Sequence, residues 1–258
     1  MNIKTYILFA FTALAFMACS HIDEDERLIY VKPAAVQRSV LLEDFTGQRC
    51  INCPKASDEI KLLQEQYGED NVIAVSVHSG PLGFHSTPQL VGLSTDTGDE
   101  YFNHWQFDYQ PVGMINRKGG CEYTTWNTRI REELEKTAPV NINLVVTTEG
   151  SQKSVQANVT GVDGNITGKL QLWLTEDNVT AFQMMPDGTR DMNYLHQHVL
   201  RAAINGTWGE DISIKEGETS ISQIYSLPTS SEWKAEDLSV IAFVYNEQGV
   251  HQVVRLKL

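Results

Sequence analysis

The chain reads as an α/β unit followed by an all-β sandwich, and three observations predict it. A Cys-x-x-Cys pair, Cys50 and Cys53, stands between a continuous apolar run and a helical pattern. Up to Ala138-Pro139 the apolar residues come in continuous or helical spacing. After Pro139 they alternate with polar residues in seven or eight short segments parted by turn signals.

The N-terminal residues are not part of either unit. Met1 to Lys4 is a short basic start, and Thr5 to Ala18 is uncharged and mostly apolar. That run is short for a membrane span and suited to a secretory signal. It ends at Ala18-Cys19, which resembles a bacterial lipobox, where the signal is cut before the cysteine and the cysteine is lipidated. Phe16-Met17-Ala18 lacks the usual leucine three residues before it. Residues 1–18 are thus expected to be a lipoprotein signal and residues 19–36 an acidic tether carrying Asp23-Glu24-Asp25-Glu26.

The α/β unit is expected over residues 37–137. Arg38 to Phe45 is apolar enough for a buried strand. Ala56, Ile60, Leu63 and Tyr67 recur at helical spacing, with Gly68 as a stop. Asn71 to His78 is a second buried strand. Residues 79–98 form a long loop, and Asp99 to Trp105 a helical turn or two. Tyr109 to Tyr123 reads as strand, glycine-containing hairpin and strand. Thr124 to Lys136 is an amphipathic helix with Trp126, Ile130 and Leu134 on one face, ended by Ala138-Pro139.

The sandwich is expected over residues 138–258. Val140/Ile142/Leu144, Val155/Ala157/Val159, Leu170/Leu172/Leu174 and Val240/Ala242/Val244 alternate with polar residues. Asp163-Gly164-Asn165, Asn205-Gly206 and Asn246 to Gly249 are the turns between such segments.

Thiol exchange needs a thiolate, and a helix N-terminus or a neighbouring cation lowers a cysteine pKa toward it. Cys50, beside Arg49, is therefore expected to be the exposed attacking sulfur, and Cys53 the more buried resolving one. Helical geometry brings the i and i+3 sulfurs to one side. Cys121 reads as a buried apolar residue. A lone Cys-x-x-Cys has other readings: a structural disulfide, or a copper site completed by His78 or His85. Zinc would need a fuller ligand set than the sequence offers. His196 and His198 share a face if they lie on a strand, but no further ligand completes a set. No metal and no cofactor is expected.

Val40-Leu41-Leu42-Glu43-Asp44-Phe45-Thr46-Gly47-Gln48-Arg49-Cys50-Ile51-Asn52-Cys53-Pro54-Lys55 resembles a thioredoxin active-site strand and turn. The β-α-β-α-β-β-α order matches that core. The resemblance implies that Asp44 is a buried acid serving the resolving cysteine. It also implies that Pro111 is a cis-proline which, with Gln110, holds a substrate backbone. Arg49 stands where tryptophan is usual, and Ile51-Asn52 replaces the usual inner dipeptide; both bear on the redox potential. The second part resembles an immunoglobulin-like sandwich, without a Cys-Trp-Cys framework.

Nearly the whole mature chain is also similar to the twenty-eight-kilodalton outer-membrane protein family of Bacteroidetes-type lipoproteins. The similarity lies in Glu43 to Pro54, Pro111 to Arg117, Tyr194 to Ala202 and Asn205 to Glu210. It implies a thioredoxin-like domain plus a β-sandwich on the outer membrane. Acidic residues just after Cys19 resemble the signal that sends such lipoproteins to the outer face.

Net charge is −13, from 20 basic and 33 acidic residues, which excludes binding nucleic acid through bulk charge. Two functions are expected. One is thiol–disulfide exchange on an extracytoplasmic protein, using Cys50, Cys53, Asp44, Arg49, Gln110 and Pro111. The other is a surface lipoprotein with a static disulfide, whose sandwich binds a protein or glycan.

Overall fold

A computed structural model describes residues 34–258; the signal segment, Cys19 and nearly all of the tether lie outside the described residues. Strands β2 (Val40–Thr46) and β3 (Val72–His78) are buried at every position, which is why their sequences do not alternate. They run parallel, in register from Val40↔Val72 to Thr46↔His78. Helix α1 (Cys53–Tyr67) connects them. Pro54 sits in its first turn, where a missing N–H goes unnoticed, and Gly68 ends it at φ 93°. Ala56, Ile60 and Leu63 of this helix join Val40, Leu42, Val72 and Ala74 in one apolar cluster.

A long loop leads to helix α2 (Asp96–His104), whose first turn is capped by Thr95 accepting from the Gly98 N–H. Strand β4 (Val112–Ile115) then runs antiparallel to β2, with Phe45 opposite Val112, and pairs on its far side with β5 (Gly120–Cys121). Helix α3 (Trp126–Leu134) follows and presses the Trp126 indole on Gly113, where a Cβ would lie 2.2 Å from the ring. Two short strands, β1 (Val36–Gln37) and β6 (Thr137–Ala138), pair antiparallel.

The remaining chain is almost all strand. β7 (Val140–Glu149), β8 (Gln152–Gly161), β14 (Thr219–Ile221) and β15 (Tyr225–Ser226) form a four-stranded sheet. β10 (Val179–Met184) and β11 (Arg190–His196) form a separate hairpin. β9 (Ile166–Glu176), β12 (Val199–Ala203), β13 (Glu210–Ile214), β16 (Leu238–Asn246) and β17 (Gly249–Lys257) enter the large sheet.

Those last strands overturn the expected fold class. The chain is not an α/β thioredoxin-like domain followed by an immunoglobulin-like sandwich. Among the described residues strand far outweighs helix, and one nine-stranded sheet takes strands from both halves of the sequence. Its order is β17-β16-β9-β12-β3-β2-β4-β5, with β13 also on β9. The seam is β12 against β3. Val199 pairs in parallel with Ser76, and the Ser76 N–H donates to the His198 carbonyl at 2.8 Å. An uncovered β3 would present a row of unpaired backbone groups; β12 pairs with that edge at Ser76. The core obeys the same logic. Leu41, Phe45, Val75 and Met114 pack in one cluster with Trp173, Phe243 and Val253. A second cluster fills the space between the large sheet and the four-stranded one, through Val155, Val159, Leu172 and Val244.

Candidate functional site around the Cys50–Cys53 disulfide

Cys50 and Cys53 form a disulfide with their Cα atoms 5.4 Å apart. β2 delivers the chain to a tight loop, in which the Cys50 N–H donates to the Gly47 carbonyl at 3.0 Å. Cys53 opens α1. Gly47 has no room for a side chain, because a Cβ there would lie 2.4 Å from the Leu82 carbonyl carbon.

Asp44 lies on β2 three residues before this loop and is completely buried. Neither carboxylate oxygen has a hydrogen-bond partner among the described residues. Desolvation alone raises its pKa from an ordinary 3.8 to about 8. Pro111 follows a cis Gln110–Pro111 bond and precedes Val112, the partner of Phe45, so it stands at the end of β4 beside Thr46. Gln110 turns inward instead of outward. Its amide donates to the Thr46 carbonyl at 2.7 Å and the Ser79 carbonyl at 3.0 Å, and its oxygen accepts from the Leu82 N–H. Arg49 is exposed, with its guanidinium 4.8 Å from the Phe84 ring centre.

Cys50 departs from expectation. It is only 2% exposed, the same as Cys53, because the β10–β11 hairpin lies over it. The Gln183 amide donates to the Cys50 carbonyl at 2.9 Å, and the Met184 N–H to the Gln48 carbonyl at 2.8 Å. The buried Gln48 side chain ties the loop to the hairpin by donating to the Phe182 carbonyl at 3.0 Å. The other hairpin strand faces α1 across a cavity of about 480 Å³, lined by Cys53, Ser57, Gln64, His78, Tyr194 and His196 among others.

His78 and His196 meet ring to ring in that cavity, 5.0 Å between centres. Both are buried, and each keeps one ring nitrogen without a partner among the described residues. Burial lowers both pKa values, that of His196 to about 4, so both are neutral at pH 7. His198 does not share a strand face with His196. It sits at φ 57° after β11, paired through Nδ1 with Asp177 at 2.9 Å.

Comparison with known proteins gives the family and the fold. The family model described as outer membrane protein Omp28 matches residues 98–258, more than half of the chain. The chain belongs to the Omp28 family. Like that family it is an outer-membrane lipoprotein, and no helix among the described residues is long and apolar enough to cross a membrane. Among solved structures it is similar to HBP35 of Porphyromonas gingivalis, at 17% identity and a TM-score of 0.66. That likeness covers 88% of this chain and 77% of the other, so the shared fold runs through both halves. A domain of the outer membrane lipoprotein Omp28 from Porphyromonas gingivalis is 28% identical, at a TM-score of 0.33, over 47% of this chain and 88% of that domain. No curated protein matches.

One feature of this Omp28 protein escaped sequence reasoning. Glu43 and Arg117 form a buried ion pair, 3.3 Å apart. The Arg117 guanidinium also lies over the rings of Tyr245, Phe243, Trp173, Tyr101 and Trp208, 4.3 to 6.0 Å from their centres. Burial pushes the Glu43 pKa up, and Arg117 opposes it. In sequence, Arg117 falls in the glycine-containing hairpin of Tyr109 to Tyr123, and nothing there marks Glu43 as its partner.

Proposed function

We propose that the Cys50–Cys53 disulfide is exchange-active and that this outer-membrane lipoprotein passes electrons between the pair and an extracytoplasmic thiol or disulfide. The buried, partnerless carboxyl of Asp44 carries the reading. Such a group costs stability and has no structural partner to repay it, and groups of this kind concentrate where proton transfer is needed. With a pKa near 8 it can take or give a proton close to neutral pH. Breaking the disulfide consumes two electrons and two protons, and re-forming it releases them. In this reading Cys50 and Cys53 are the dithiol and Asp44 holds the proton. Gln110 and Pro111 fix the end of β4 beside the loop, and Arg49 supplies the nearest side-chain cation in sequence.

A purely mechanical role would contribute little. By the chain-entropy relation, a loop this short gives only about 2 kcal/mol. Cys50→Ser in the purified lipoprotein should abolish reduction of a model protein disulfide, and undiminished activity in that variant would sink the mechanism.

One observation favours a second reading: the hairpin leaves Cys50 2% exposed. A static disulfide in a lipoprotein that binds a surface protein or glycan would look the same. It would resist mild reductant and form no mixed disulfide.

A further inference from the structure

The two cysteines of the disulfide are buried to the same degree but by different surroundings. Cys50 lies beneath β10, whose Gln183 and Met184 are hydrogen-bonded to the loop at residues 48–50. Cys53 lines the cavity between α1 and β11, and Cys50 is outside that lining. The cavity, at about 480 Å³, falls in the range that suits small molecules and cannot admit a folded protein. The walls carry polar groups of both signs, Lys61 and Lys257 against Asp58 and Asp177.

We infer that this cavity admits a low-molecular-weight thiol and that Cys53, not Cys50, is the sulfur it attacks. The inference rests on the exchange-active reading of the disulfide and reverses the roles expected from sequence.

The steps balance. The thiolate sulfur of the small molecule bonds to Cys53 Sγ, the Cys53–Cys50 bond breaks, and Cys50 Sγ leaves with the electron pair. A second thiolate attacks the small-molecule sulfur of the mixed disulfide. It forms a small disulfide and releases Cys53 as thiolate. Two thiols are oxidised and one protein disulfide is reduced. The two protons that the thiols give up to water or buried acceptors are matched by two taken up by the cysteines.

The test uses the full-length protein in detergent and hydroxyethyl disulfide as probe, which runs the second step backwards. Cys50→Ser leaves Cys53 as the only thiol of the pair, and Cys53→Ser leaves Cys50. Adduct formation is followed by peptide mass, and each rate is divided by the rate of the same variant in denaturant. The native Cys53 should react at least about 10-fold faster than the native Cys50. A Cys50 rate equal to or above that of Cys53 would overturn the inference while leaving exchange itself intact. If neither thiol reacts faster than global unfolding allows, both the inference and the exchange reading fail.

A second variant keeps the inference exposed if one serine variant does not fold. Ser57→Trp places an indole in the cavity from α1. In an otherwise wild-type protein whose circular dichroism is unchanged, it should slow reduction by 2-mercaptoethanol about 10-fold. An unchanged rate would count against the cavity as the route.

Discussion

Replacing Asp44 by asparagine should remove a pH dependence of stability whose size follows from the geometry. The carboxyl is completely buried and partnerless, and its pKa rises from an ordinary 3.8 to about 8. Between those two values the folded protein keeps a proton that the unfolded chain has released. The folded state thus binds more protons, and stability falls as pH rises through that window. The slope is about 1.4 kcal/mol per pH unit. From pH 5 to pH 7 the wild type should therefore lose about 2.7 kcal/mol relative to Asp44→Asn. The asparagine amide is buried without an obvious partner too, but that cost is independent of pH and cancels in the difference. Titration of other buried groups is common to both proteins and cancels likewise. Urea unfolding of the oxidised proteins at pH 5, 6 and 7 measures the difference directly. A difference that stays constant to within about 0.5 kcal/mol across the three values would refute the argument that Asp44 is held protonated by burial.

Other perturbations test the scaffold. Glu133 accepts from Lys118, Lys136 and Asn116 and pairs with Arg38. Burial opposes them, but together they bring its pKa down from an ordinary 4.5 to about 2. Its contribution is full above pH 4.5 and is lost as pH falls toward 2, so Glu133→Gln should cost about 2–3 kcal/mol at pH 6 and much less at pH 2.5, by chemical denaturation. Arg117→Met leaves the Glu43 carboxylate buried and alone, which should destabilise by about 3–5 kcal/mol in a thermal melt. The double variant with Glu43→Leu should recover much of that loss. Gly113→Ala drives a methyl into the Trp126 indole and should cost about 1–3 kcal/mol, with a change in tryptophan fluorescence reporting the displaced ring.

What could be read in the sequence depended on whether burial left a local signature. β2 and β3 were legible because both faces are covered, and their apolar runs say so. α1 was legible from Ala56, Ile60 and Leu63 and from Pro54 at its start. The disulfide lay in plain view as Cys-x-x-Cys. The joining of the halves was not legible. Periodicity identifies strands but not their neighbours, and the β12–β3 seam rests on a single paired position, Val199↔Ser76.

The hairpin over Cys50 was hidden for another reason. Asp191, Met192, Asn193 and Leu195 of β11 are exposed or half-exposed, so Arg190 to His196 lacks an apolar rhythm. Its function as a cover is carried by backbone groups and by the two amides of Gln48 and Gln183, which no pattern of hydrophobicity marks. Asn116 and Arg117, at the end of the expected strand and the start of its hairpin, carry no sequence sign of what they hold. They sit at φ 50° and 58°, yet both are buried, with Asn116 holding Leu41 by its N–H and Arg117 holding Glu43.

The reduction potential of the Cys50–Cys53 pair tests the central claim most directly. The lipoprotein in detergent would be equilibrated in glutathione buffers and scored by the mass added on alkylation. Exchange activity predicts a potential between roughly −120 and −270 mV. A value below about −300 mV would mark a disulfide that cellular thiols do not open, and would contradict the account.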